Sequence, residues 1–98
     1  MINAGFTNGE HIEDVAALDG PSASTYVAGN IYEASGARGS SHNAWLYRDG
    51  AIYALSKDAR KHTLFTDGRD IADADFFTSA DWETLGECIN AAARAAGK

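Results

Sequence analysis

Residues 43–56 read NAWLYRDGAIYALS, two apolar runs parted only by Asp49-Gly50, and no other stretch constrains the fold as much. Asp-Gly supplies the positive φ angles of a type I′ turn, so the spacing predicts a β-hairpin. A two-residue turn also sets the register: Arg48 opposes Ala51, Tyr47 opposes Ile52, Leu46 opposes Tyr53 and Trp45 opposes Ala54. One face of the hairpin then carries Ala44, Leu46, Tyr53 and Leu55 with Arg48 at the tip. The other carries Trp45, Tyr47, Ile52 and Ala54, with Asn43 and Ser56 at the far end. Neither face is polar, whereas a hairpin with one wet side alternates apolar and polar residues. Either both faces are covered by helices or loops, or the Trp45/Tyr47 face is left for a partner.

The chain has 98 residues, 45% hydrophobic and 22% charged, which predicts a single globular domain over 1–98. A chain of this size buries roughly two thirds of its unfolded surface, enough for one core but not for a deep, enclosed catalytic cavity as well. Cys88 is the one cysteine, which excludes an intramolecular disulfide and a multi-thiolate zinc site and fits a reducing compartment. No basic leader-like segment follows Met1 and no apolar run approaches a membrane span, so the expectation is a cytoplasmic protein with no membrane association.

Upstream of the hairpin, Thr7 and Glu10 have capping-box spacing before HIEDVAAL, and Ile12, Val15, Ala16 and Leu18 form an apolar stripe; a short N-terminal helix is expected, stopped at Asp19-Gly20-Pro21. STYVAGNIYE, residues 24–33, alternates as a strand, and Gly29 within it suggests a bulge or a close backbone approach. The loop 35–41, from Ser35 through Arg38 to Ser41, reads as a flexible connection with enough free N–H groups to suit an anion. Downstream, residues 57–61 read as a charged turn and His62-Thr63-Leu64-Phe65-Thr66 as a further strand. Thr78 or Ser79 caps a final helix, with Asp81 and Glu83 in its first turn and Trp82, Leu85, Ile89, Ala92 or Ala93 and Ala96 at helical spacing. The predicted fold is α+β: an antiparallel meander of three to four strands, a short N-terminal helix, and a C-terminal helix packed on the sheet. Trp82 and Cys88 are expected in the core or at its edge.

Catalytic and metal motifs are weak. Ser40 or Ser41 with His42 would need to converge, but adjacent strand residues point to opposite faces. His42, His62 and Cys88 lack the local pairing of a zinc site. A calcium loop starting at Asp67 would need glycine at Ala72 and glutamate at Thr78. The expectation is a non-enzymatic protein without metal or cofactor.

Charge placement carries more. Residues 1–20 hold Glu10, Glu13, Asp14 and Asp19 and no cation, whereas 34–66 carry Arg38, Arg48, Lys57, Arg60 and Lys61 against Asp49 and Asp58. Asp67, Asp70, Asp73, Asp75, Asp81, Glu83 and Glu87 then face Arg69 alone. A chain with a net charge of −6 is a poor direct ligand for nucleic acid, but such a segment suits a basic protein partner. Small size, no catalytic constellation and a negative C-terminal third resemble the small inhibitors of phages and mobile elements, anti-CRISPR proteins especially. That resemblance is to a class without a shared motif and carries no residue over. It implies that the carboxylates obstruct a basic channel of a CRISPR effector subunit or another nuclease. The expected partner-binding residues are Asp67, Asp70, Asp73, Asp75, Asp81, Glu83 and Glu87, with Trp45 and Tyr47 as an aromatic alternative, on a monomer or dimer. The competing reading is a small-molecule or nucleotide-binding module using the Ser35 to Ser41 loop and the Trp45/Tyr47 face.

Overall fold

A computed structural model describes residues 2–72 and 75–97. Strands β1 (His11–Asp19), β2 (Thr25–Tyr32), β3 (Arg38–Arg48) and β4 (Ala51–Ala54) form an antiparallel meander, and helix α1 (Lys57–His62) leads into a two-residue strand β5 (Thr66–Asp67). β5 runs parallel to β4, pairing Tyr53 with Thr66 and Ala54 with Asp67, so the five-stranded sheet is mixed. Helix α2 (Ala80–Ala95) closes the chain.

The hairpin register is the expected one, with all four pairs from Trp45↔Ala54 to Arg48↔Ala51. Asp49 and Gly50 have φ of 52° and 80°, as a type I′ turn demands. Both faces of the hairpin are covered. On one, Ala44, Leu46 and Leu55 join Tyr26, Ala28, Phe76, Leu85 and Ile89 beneath α2. On the other, Trp45 and Ala54 pack with Ile31 and Ala59 of α1, overlaid by Ile2, Phe6 and Phe65; the Phe6 ring meets the Trp45 indole edge-on at 6.2 Å.

The expected N-terminal helix is instead the outer strand β1. A bulge accounts for the misleading pattern: between Glu13↔Asn30 and Ala16↔Ala28, β1 spends one residue more than β2, and Asp14 takes φ 59°. The extra residue flips the alternation, so Ile12 packs on the Trp45 side while Ala16 and Leu18 pack on the Leu46 side. A strand whose phase shifts once imitates a helical stripe. The Asp14 carboxylate stabilises the bulge, accepting from Asn30 Nδ2 at 2.9 Å and Tyr32 Oη at 2.8 Å. The capping-box residues serve elsewhere: Thr7 Oγ1 donates to the His62 carbonyl at 3.4 Å, and Glu10 pairs with His62 Nδ1 at 2.9 Å.

Gly29 lies opposite this bulge, and a Cβ there would stand 2.6 Å from Ile12 Cγ1 and 2.9 Å from the Glu13 carbonyl oxygen, which is the close approach its position suggested. β3 bulges too, at His42 with φ 54°, whose N–H donates to Asn30 Oδ1 at 2.9 Å. β3 also begins earlier than expected: only 33–37 form the connection, and residues 38–41 of the expected loop are strand.

The expected charged turn is α1, capped by Ser56 Oγ accepting from the Ala59 N–H, with Asp58 in its first turn and Arg60, Lys61 and His62 in its last. His62 is therefore helical, not strand; of the expected fourth strand, Thr66 pairs with β4 and Thr63 forms an isolated bridge with Phe6. In α2 the cap is Ser79, and Leu85, Ile89 and Ala93 are buried. Trp82 is half-buried against Phe76 and Phe77, at the edge of the packed face. Cys88 is exposed, contrary to its expected place in the core or at its edge. One residue before Ile89 is a rotation of about 100°, enough to carry the thiol off the packed face.

Candidate functional site

A chain of buried and part-buried hydrogen bonds anchors α1. Ser40 Oγ donates to Asp58 Oδ2 at 2.6 Å, Asn43 Nδ2 donates to Ser40 Oγ at 2.9 Å, and Ser56 Oγ donates to Asn43 Oδ1 at 2.8 Å. Ser56 Oγ also accepts from the Ala44 N–H at 3.2 Å and the Ala59 N–H at 3.3 Å. A buried polar group left unpaired is costly, so this network holds the start of the helix to β3. Lys57 and Arg60 project from the helix held in this way.

Both line a cavity of about 400 Å³ with His42, Leu55, Ser56, Arg69, Phe77 and Trp82. Three cations in a chain of net charge −6 converge here, and among the described residues no carboxylate lines the cavity. Arg60 Nε donates to the Leu55 carbonyl at 3.2 Å, which orients the guanidinium while its terminal nitrogens bond to no described residue. Asp67 clamps Arg69, accepting from Nε at 2.9 and 3.0 Å and from Nη2 at 2.6 Å. The bonds from Arg69 lower the Asp67 carboxyl from 3.8 to about 2 and raise the Arg69 guanidinium. His42 Nε2 meets Asn90 Oδ1 at 2.9 Å, tying the cavity wall to α2 where Gly86 passes over the ring. Phe77 is 42% exposed, and its ring stands edge-on to Trp82 at 5.0 Å. Such a wall offers hydrogen-bond donors for an anion beside aromatic surface for a ring.

The sequence missed this site because it read 57–61 as a turn. Once α1 is a helix, Lys57 and Arg60 at i,i+3 share a face, and that spacing was the available signal. No residue of the Ser35 to Ser41 segment lines the cavity; Ser35, Arg38 and Ser41 are exposed, and Ser40 contributes only by anchoring α1 through Asp58. Trp45 is fully buried, which removes it as a surface anchor, whereas Tyr47 is 37% exposed.

The acidic residues divide. Asp67 is committed to Arg69. Asp70 and Asp75 are exposed on the segment before α2, and Asp81, Glu83 and Glu87 are exposed on α2 itself; none forms a salt bridge with a described residue. Asp73 lies outside the described residues. Among the described residues no group of three or more His, Cys, Asp or Glu side chains is placed to hold a metal ion, and no helix is long and apolar enough to cross a membrane. No family model, curated protein or solved structure matches this chain.

Proposed function

We propose that this chain is a non-enzymatic protein-binding inhibitor whose acidic surface engages a basic, nucleic-acid-binding partner, as an anti-CRISPR protein engages a CRISPR effector complex. The observation that carries the reading is the run of exposed carboxylates Asp70, Asp75, Asp81, Glu83 and Glu87, none of which forms a salt bridge with a described residue. The segment's own arginine is neutralised by Asp67, so it does not offset them. Like charges concentrated within 70–87 repel one another at some cost to the compact state, and a basic partner relieves that repulsion. Complementary charge would steer the encounter, making association fast at low salt and slow at high salt.

The test measures target-DNA binding by a panel of guide-loaded CRISPR effector complexes, with and without this protein, at two salt concentrations. One effector should lose DNA binding in the presence of the wild-type protein, less so at high salt, and Asp70→Lys/Glu87→Lys should slow association at least tenfold while melting normally. DNA binding unaltered across the panel would reject the CRISPR assignment. Inhibition that survives the charge reversal would reject the acidic surface.

A further inference from the structure

We propose that the cavity between α1 and the start of α2 is a binding site for a small phosphomonoester carrying a planar ring, of nucleoside monophosphate size. The site is separate from the carboxylates of the docking surface, and different residues carry it. Its cations are Lys57, Arg60 and Arg69, and no acidic side chain among the described residues lines it. Asp67 offsets one of the three charges through its bidentate clamp on Arg69, leaving a surplus of two. A phosphomonoester carries about −1.5 to −2 near neutral pH, which matches that surplus. Guanidinium forks suit phosphate oxygens, and the Leu55 carbonyl has already oriented Arg60, so less ordering is required when a ligand arrives.

Size and shape narrow the class. The cavity holds about 400 Å³, near the lower end of the roughly 300–1,000 Å³ usual for ligand pockets, which suits a mononucleotide better than a dinucleotide. Beside the cations stand Phe77 and Trp82, set edge-to-face at 82°, so a ring entering the cavity finds aromatic surface. Base-aromatic stacking tolerates any base, and the site therefore selects for the phosphate and for ring planarity rather than for base identity. The global charge of −6 opposes anion approach, so the local cations must overcome a repulsive field.

Isothermal titration calorimetry with adenosine monophosphate, adenosine and inorganic phosphate tests this. The nucleotide should bind at one site at least tenfold tighter than either fragment. Lys57→Gln/Arg60→Gln should weaken it tenfold or more, and Phe77→Ser should bring it down to the level of phosphate. Lys57 is exposed, so Lys57→Gln should leave the melting temperature unchanged; Phe77→Ser gives up ring contacts with Phe76 and Trp82 and should lower it while the protein still folds, so both remain informative if the double variant fails to fold. Nucleotide binding no tighter than that of phosphate or adenosine, or unaffected by Lys57→Gln, would overturn the proposal. Asp70→Lys/Glu87→Lys should leave nucleotide binding intact, so loss of the docking activity and loss of this site are told apart.

Discussion

Replacing Ile89 with alanine tests how α2 is seated. Ile89 is fully buried among Leu85, Leu46 and Tyr26, whereas its neighbour Cys88 is exposed. Burying an isoleucine side chain contributes about 1.5–3 kcal/mol, and truncation adds the cost of the cavity left behind, so Ile89→Ala should destabilise by about 2–5 kcal/mol. Total stability for a domain is typically about 5–15 kcal/mol, so the variant should still fold in most of that range. At roughly 4–8 °C per kcal/mol for a domain of this size, the melting temperature should fall by at least about 8 °C. Cys88→Ala, one residue away, removes an exposed side chain and should stay within about 0.5 kcal/mol. Both are read by thermal circular dichroism and by the urea midpoint at unchanged slope. Equal effects of the two substitutions, or an Ile89→Ala effect below about 0.5 kcal/mol, would show that this face of α2 is not the one packed on the sheet.

Two further predictions follow from local geometry. Gly29→Ala forces a methyl group to within 2.6 Å of Ile12 and 2.9 Å of backbone oxygen and should cost about 1–3 kcal/mol in urea unfolding, whereas Gly39→Ala, whose Cβ would have 3.4 Å of clearance, should be near neutral. The depressed Asp67 carboxyl should titrate near about 2 in carbon-detected NMR, and Arg69→Ala should return it toward 3.8. Because the folded value lies below the unfolded one, the stability it contributes is present above 3.8 and is lost as pH falls toward about 2. A midpoint that Arg69→Ala does not move would mean the clamp is absent in solution.

What the sequence determined by itself is the part set by local chemistry. Asp49-Gly50 dictated both turn and register, because few other residue pairs tolerate two consecutive positive φ angles. The final helix was equally legible, since Ser79 caps it and Leu85, Ile89 and Ala93 recur every fourth residue, which keeps them on one face of a helix. Tertiary structure decided the rest. Ile12, Val15, Ala16 and Leu18 suit a helix as well as a bulged strand; pairing with β2, stabilised by Asn30 and Tyr32 reaching the Asp14 carboxylate from 16 and 18 residues away, selects the strand. Residues 57–62 become a helix because Ser56 caps them and Asp58 is tied to Ser40 across 18 residues. The cavity depends on that outcome, since it joins His42 of β3 to Lys57 and Arg60 of α1 and to Phe77 and Trp82 near the start of α2. No single stretch of sequence contains those residues together. Local rules read turns, caps and periodicity, but a site assembled from four separate segments, Arg69 supplying the fourth, exists only once long-range pairing has chosen which local preference prevails.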